Sequence, residues 1–295
     1  MEEKKEIKAM NRQSFLEKVK SYSSHPGSFL LLLLVLTAAF LTVTALLFLV
    51  AYVLITGVPN LKPSLFAWNY NSENVSMIPA MINTIEMVVL ALLFAVPFGV
   101  GAAIYLVEYA KKGNKIVGFV RLTAETLTGI PSIIYGLFGM LFFVTALGWR
   151  NSILAGAMTL AIMVLPTIMR TTEEALLSVP DSYREGSFGL GAGKLRTVFQ
   201  IVLPAAIPGI LSGIILSIGR IVGETAALIY TSGTVAGLAG VMDSGRTLAI
   251  HMYVLSNEGM YKNEANATAV ILLFIVLGMN AVSSKLAKKL KAVEK

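Results

Sequence analysis

Long apolar runs alternate with short polar segments along this chain, and the pattern predicts helices that cross a lipid bilayer. Most charge-free runs reach the roughly 18–20 residues that a helix needs to cross about 30 Å of hydrocarbon. The predicted fold class is therefore an all-α membrane protein with about six transmembrane helices. The expected spans are Phe29–Thr56, Ile78–Val107, Gly129–Leu147, Ser152–Arg170, Ala205–Tyr230 and Ala265–Ser284.

The composition agrees with this pattern. Of the 295 residues, 56% are hydrophobic and 14% are charged, whereas a soluble domain is about 45–50% apolar and about 25% charged. These values exclude a soluble enzyme and, despite the net charge of +7, a nucleic-acid-binding protein. The chain has no Cys and two His, so we expect neither thiol chemistry nor a metal site of the usual zinc type.

The distribution of Lys and Arg predicts the orientation in the membrane. These residues concentrate before the first span, after the last, and in the segments that follow the second and fourth spans. Because cytoplasmic loops carry the Lys/Arg excess, both termini are expected in the cytoplasm and the chain in the cell membrane. The predicted organisation is a cytoplasmic tail at residues 1–28, a transmembrane domain at 29–284 and a basic cytoplasmic tail at 285–295. Few cations remain for the opposite side: Lys62, Arg150, Arg246 and Lys262.

The cytoplasmic loop at residues 171–204 contains a predicted short helix. Pro180 and Asp181 are typical of a first helical turn, and Gly191 or Gly193 would end the helix. Tyr183, Ser187 and Leu190 would share one face. A helix of two or three turns is not stable alone in water, so it needs a surface on which to pack.

The residue spacing in this loop resembles the EAA motif of ABC-transporter permeases, E-A-A-x-x-x-G-x9-I-x-L-P. Glu185, Gly191 and the sequence from Ile201 to Pro204 match the motif, while two small residues replace its alanines. The resemblance implies a coupling helix that fits a groove on a cytoplasmic ATPase; an amphipathic helix lying on lipid is the alternative. The implied coupling residues are Tyr183, Glu185, Gly186, Ser187 and Gly191.

The same loop does not bind nucleotide. A phosphate-binding loop requires G-x-x-x-x-G-K-[ST]. Phe188 occupies the position of its first glycine, and Leu195 the position of its Ser or Thr. ATP hydrolysis is therefore expected on another chain, and this chain is expected to bind no cofactor and to have no catalytic residue.

The fifth predicted span carries two charges. Arg220 lies near its middle and Glu224 would follow on the same face one turn later, with Ser217 and two glycines continuing that stripe. An intramembrane ionisable residue is functional by default. There are two interpretations. The two residues form a structural ion pair, or Arg220 is an anion partner that Glu224 holds in place. Arg suits phosphate because its planar fork makes bidentate contacts and stays charged.

The third predicted span adds hydroxyl groups to the candidate substrate path. Thr128 and Ser132 would lie on one face with two glycines. Their hydroxyls could solvate an anion, or they could bond the carbonyl groups freed by Pro131. Both readings stay open at this point.

Three stretches together resemble the PstA-type permeases of phosphate ABC importers. They are Gly129–Gly136, the loop Glu185–Pro204 and Ser217–Ala226. The resemblance implies a type I ABC importer permease fold, a homologous PstC-type permease, a PstB-type ATPase dimer that binds ATP and Mg²⁺, and a PstS-type phosphate-binding protein. The implied substrate is phosphate, and the protein is expected to lie in the lipid bilayer. Another tetrahedral oxyanion, such as sulfate or molybdate, or a secondary anion transporter, is the alternative.

Overall fold

The computed structural model describes residues 26–111 and 113–293, so most of the predicted tail at 1–28 lies outside the described residues. The α-helices are α1 (Pro26–Gly57), α2 (Ile78–Ile104), α3 (Lys115–Thr128), α4 (Ser132–Gly139), α5 (Ile153–Leu177), α6 (Asp181–Gly189), α7 (Lys194–Thr197), α8 (Leu203–Val222), α9 (Ala226–Ile229), α10 (Leu248–Glu258) and α11 (Lys262–Val293). Three π-helical segments extend them: Tyr105–Tyr109 after α2, Met140–Ala146 after α4, and Val198–Val202 before α8. Short 3-10 helices follow α1 at Val58–Asn60 and Pro63–Phe66.

The number of membrane spans agrees with the prediction. Five helical stretches are long and apolar enough to cross a bilayer, and a sixth span is possible if α3 and the α4 stretch count together. That pair is bent by 102° at Gly129–Pro131. The described residues up to Ile55, which include most of α1, form a separate unit. Large apolar side chains of α1 are exposed, as expected of a helix in lipid.

The core of the second unit, from Thr56 onward, is built around α5. This helix packs against α2 on one side and α8 on the other. Small residues allow the close approach, because a methyl group at Gly99 would meet Ile168 and one at Gly209 would meet Ala175. The central position of α5 explains why two thirds of its most apolar window is buried.

Three predicted spans have different ends in the structure. α5 continues past Arg170 to Leu177, where Arg170 and Glu174 pair within the same helix. The predicted span Ala205–Tyr230 is wrong at its end, since α8 stops at Val222 and a short separate helix follows. α11 starts at Lys262 and runs beyond Ser284 to Val293, through part of the predicted basic tail.

The two ends of the second unit differ in construction. One end, the α6 end, carries the loop between α5 and α8. At the other, the α10 end, the loop at residues 230–247 folds over the start of α5. Its Asp243 and Val241 carbonyls accept hydrogen bonds from the Ile153 and Leu154 amides at 3.0 and 2.8 Å. These bonds satisfy amide groups that the first turn of a helix leaves unpaired.

Candidate functional site

The short helix predicted in the loop at 171–204 is present as α6. It begins at Asp181 directly after Pro180 and ends at Gly189. Gly191 follows in the left-handed region, with φ +83°, and Ala192 N–H donates to the Ser187 carbonyl at 3.1 Å. Glycine adopts this conformation without the steric cost that a side chain adds. The chain reversal after α6 therefore explains the position of Gly191 in the motif.

The outer face of α6 is exposed and partly apolar. None of its residues is buried, and Tyr183 and Phe188 expose about half of their surface. Leu190, just after the helix, is 92% exposed. Beside it lies a cleft of about 480 Å³ that Tyr183, Gly186 and Gly191 help to line. An exposed aromatic and aliphatic surface next to a cleft is typical of a protein docking site.

Arg184 fastens α6 to the rest of the bundle. Its guanidinium donates to Glu108 Oε1 at 2.7 and 3.1 Å, to the Leu176 and Val179 carbonyls at 3.0 and 2.8 Å, and to Asp181 Oδ1 at 3.2 Å. The Arg184 and Glu108 side chains are 14% and 8% exposed. One side chain thus joins α6 to the ends of α2 and α5.

Sequence reasoning missed this contact. Glu108 lies at the end of the second predicted span, and Arg184 lies in the loop at residues 171–204, so the two are far apart in the sequence. An acidic residue at a span boundary was the available signal. A second missed residue is Glu86, a half-buried carboxylate inside α2.

Arg220 lies in the last turn of α8, where it is half-buried. It lines a cleft of about 440 Å³ together with Ser217, Thr167 and Asn280. No carboxylate among the described residues lies within 4.0 Å of its guanidinium. An unpaired guanidinium at a cleft is free to bind an anion.

The expected pairing of Arg220 with Glu224 on one helical face is wrong. α8 ends at Val222, so Glu224 is no longer one helical turn along from Arg220. The buried Glu224 instead accepts a hydrogen bond from the Ala227 amide through Oε1 at 3.1 Å. Its carboxylate therefore satisfies an amide at the start of α9, which is the usual role of an acidic residue at a helix amino terminus.

The expected common face of Thr128 and Ser132 is also wrong, because the sharp bend separates them. Thr128 ends α3 and donates to the Glu125 carbonyl at 2.7 Å, whereas Ser132 begins α4. The glycines of that stripe fill packing positions: a methyl group at Gly136 would meet Ala227, and one at Gly139 would meet Thr159.

The small-residue stripe of α8 is likewise used for packing. A methyl group at Gly213 would collide with the Thr171 side chain. Ser217 is buried and donates to the Gly213 carbonyl at 3.0 Å, although it still borders the cleft beside Arg220. These small residues bring α8 close to α5.

Ion pairs connect α3 with the far end of α5. Arg121 contacts Glu173 at 2.5 Å, and Arg170 lies 3.8 Å from Glu125 and 3.3 Å from Glu174. Apart from Glu173, these side chains are about half exposed or more, so each pair is worth little on its own. Within the described residues there is no cluster of three His, Asp or Glu that could hold a metal ion.

Comparison with known proteins defines the family. Residues 95–291 match the family described as binding-protein-dependent transport system inner membrane component. The chain is 32% identical over 254 residues to "Probable ABC transporter permease protein YqgI" of Bacillus subtilis, which covers 78% of this chain and 84% of that protein. It is 32% identical over 260 residues to the phosphate transport system permease protein PstA of Haemophilus influenzae, covering 84% and 90%.

A solved structure has the same fold. It is a chain of a bacterial alginate ABC transporter, crystallised with its periplasmic protein bound to an alginate pentasaccharide, with a TM-score of 0.62. The match covers 90% of this chain and 98% of that chain at 17% identity. The chain therefore belongs to the inner-membrane permeases of binding-protein-dependent ABC transporters, and it is a multi-pass, non-catalytic subunit that works with an ATPase and a binding protein.

Proposed function

We propose that this chain is the permease subunit of an ATP-driven importer of inorganic phosphate, in which it forms half of the translocation path. The observation that carries this proposal is Arg220, whose guanidinium has no carboxylate partner among the described residues and lies in a membrane-spanning helix beside a cleft. Its planar fork suits a tetrahedral oxyanion, because it forms two parallel charge-assisted hydrogen bonds and stays charged at any physiological pH. The name of the Haemophilus influenzae relative supports phosphate as the anion.

The proposed path combines Arg220 with two hydroxyl side chains. Ser217 borders the same cleft, and Ser132 is the first residue of α4. Their hydroxyls would accept or donate to phosphate oxygens as the anion passes. Thr128 and Glu224 would contribute indirectly, by shaping the ends of α3 and α9.

The α6 end would face the cytoplasm, with both termini on that side. Two observations support this orientation: the Lys/Arg excess of that side and the exposed surface of α6. α6 would dock on a PstB-type ATPase dimer, with Tyr183, Glu185, Gly186, Ser187 and Gly191 at or beside the contact. The ATPase would bind ATP and Mg²⁺, and this chain no cofactor. A PstC-type permease would complete the path, and a PstS-type protein would deliver phosphate at the α10 end.

Uptake of radiolabelled phosphate by the reconstituted complex tests this function, with sulfate and molybdate as competing substrates. Arg220→Gln removes the charge but keeps hydrogen-bond donors, so uptake should fall about 10- to 100-fold, as expected for a lost hydrogen bond to a charged group worth about 1.5–3 kcal/mol. Arg220→Lys should recover part of the rate, because it restores a point charge without the fork.

The matched control is Lys62→Gln, which removes an exposed cation at the α10 end, far from the cleft. It should leave uptake unchanged. Preference of the unmodified complex for sulfate or molybdate would overturn phosphate as the substrate. Full uptake by an assembled Arg220→Gln complex would overturn the role of Arg220.

A further inference from the structure

A second arginine without a carboxylate partner among the described residues lies at the opposite end of the unit from α6. Arg246 lies two residues before α10 and is 4% exposed. Its amide donates to the Val235 carbonyl at 3.1 Å, and its carbonyl accepts from Asn83 Nδ2 at 3.2 Å. The loop and α2 therefore fix the backbone of Arg246, and the burial of the Arg246 side chain follows from the fold.

The charge of Arg246 has no counter-charge within the described residues. No carboxylate there lies within 4.0 Å of its guanidinium, and the buried Nη2 has no hydrogen-bond partner. The guanidinium carbon is 4.7 Å from the centre of the Tyr70 ring. This cation–π contact compensates part of the cost of a buried charge, but a buried cation is normally paired with an anion.

The surroundings of Arg246 add further positive potential. Thr247 caps α10, whose 11 residues direct their positive dipole end toward Arg246. His251 lies in the same helix and is fully buried. Burial first, and the Arg246 charge second, lower the pKa of His251 to about 3, against the opposing effect of the Val75 carbonyl. His251 is therefore neutral near pH 7 and supplies no counter-charge.

We propose that Arg246 and the amino-terminal end of α10 form a second oxyanion site, which binds phosphate, free or as a lipid headgroup, at the α10 end. This inference rests on the proposed phosphate transport, in which the site would receive the anion before Arg220. A series of cations lowers the energy of an anion that enters a low-dielectric path. The Arg246 guanidinium would form the bidentate contact, and the positive dipole end of α10 would add to the attraction for the anion.

Thermal unfolding of the assembled complex without its binding protein tests this site. The background is Arg220→Gln, so that the first anion partner is absent, and the probe is inorganic phosphate against chloride at equal ionic strength. Arg246→Met keeps the apolar stem over Tyr70 but removes the charge, and Arg246→Lys keeps the charge. Lys62→Met is the matched control, because it removes an exposed cation from the same end.

Phosphate should raise the unfolding temperature of the background, of Arg246→Lys and of Lys62→Met. In Arg246→Met we expect the shift to fall to about half or less, since a ligand stabilises only the protein that binds it. An undiminished shift in Arg246→Met, or its loss in an assembled Arg246→Lys complex, would overturn the site. If Arg246→Met does not assemble, the Arg246→Lys result decides.

One further measurement distinguishes a lipid headgroup from free phosphate as the ligand, and a second tests the proposed function separately from the Arg246 site. In nanodiscs with phosphatidylglycerol and no free phosphate, stabilisation that depends on Arg246 would identify a lipid headgroup as the ligand; its absence would identify free phosphate. Phosphate uptake by the unmodified complex tests the proposed function independently. If the complex takes up no phosphate but the Arg246-dependent temperature shift is intact, phosphate transport is rejected and the Arg246 site is kept. If uptake is normal but the shift is absent, the Arg246 site is rejected and phosphate transport is kept.

Discussion

Three arginines of the bundle differ in what surrounds their guanidinium groups. Arg184 is bonded to a buried carboxylate and to two carbonyl groups. Arg220 and Arg246 have no carboxylate within 4.0 Å among the described residues. A paired arginine fixes structure, whereas an unpaired one within a membrane protein can bind a passing anion. These surroundings distinguish Arg184, which joins helices, from the two arginines that we propose as anion partners.

At Glu224, we predict that charge matters less than the ability to accept a hydrogen bond. Glu224→Gln keeps an oxygen for the Ala227 amide, so uptake and assembly should stay near the unmodified values. Glu224→Ala removes the acceptor at the start of α9 and should cost about 1 kcal/mol of stability. Thermal unfolding and phosphate uptake measure both effects. Equal loss in the two variants would instead support a role for the negative charge.

For His251 we predict a loss of stability as the pH falls. Its pKa is lowered to about 3 in the folded protein, from an ordinary value of 6.5, so below pH 6.5 the unfolded chain binds a proton that the folded protein does not. The free energy of unfolding should decrease by up to about 1.4 kcal/mol per pH unit between those values. Thermal unfolding from pH 7.5 to 5.5 measures this slope. An assembled His251→Phe variant should have a smaller slope; an identical one would contradict the prediction.

At the scale of elements, α6 is held by the polar junction at Arg184 and by a 2.8 Å hydrogen bond between the Ser187 and Thr197 hydroxyls, and its outer face is open. Its own residues are not buried, so apolar packing within this chain contributes little to its position. The Arg184–Glu108 pair supplies the link to the end of α2, and the carbonyl bonds supply the link to α5. A force applied to α6 by an ATPase would therefore reach the two helices that form the centre of the bundle.

Breaking this junction should uncouple α6 from the bundle. Arg184→Met leaves Glu108 buried without its partner, a change that costs about 3–5 kcal/mol for a buried pair. We expect faster amide hydrogen exchange across α6 and low uptake. Asp181→Asn is the control, because Asp181 contacts the same guanidinium but is exposed; it should change neither measurement. Unchanged exchange in Arg184→Met would contradict the role of the junction.

Two glycines of the motif should respond oppositely to alanine. A methyl group at Gly186 or Gly191 would meet no atom within 4 Å, so neither is required for space within this chain. Gly186→Ala should stabilise α6 by about 1 kcal/mol. Gly191→Ala should destabilise the reversal by about 1–2 kcal/mol, because its φ is +83°. Hydrogen exchange across α6 should slow in the first variant and accelerate in the second; changes of the same sign would contradict this reading.

At the scale of the whole molecule, the orientation in the membrane can be tested with single cysteines, since the chain contains none. Leu190 at the α6 end and Met260 at the α10 end are 92% and 79% exposed. An impermeant thiol reagent should label Met260→Cys in intact cells. It should label Leu190→Cys only after the membrane is opened, and less when the ATPase is bound. The reverse pattern would overturn the proposed orientation.

The sequence by itself determined the class of fold, the approximate spans and the position of α6. These features depend on local properties: uninterrupted apolar length, a proline and an aspartate at a helix start, and a glycine where the chain reverses. Local signals are sufficient because a helix satisfies its backbone hydrogen bonds within its own segment, so its place in lipid follows from composition. The spacing that resembles the EAA motif indicated the transporter family for the same reason, since the whole motif lies within one loop.

Tertiary structure alone decided which charges are paired. Arg184 meets Glu108 from 76 positions away, and Asn83 holds the backbone of Arg246 from 163 positions away; no local pattern encodes either contact. Gly136 likewise packs closely against Ala227, which belongs to a distant part of the chain. Pairing and burial are properties of the neighbours that folding brings together, and those neighbours become defined only when the helices pack.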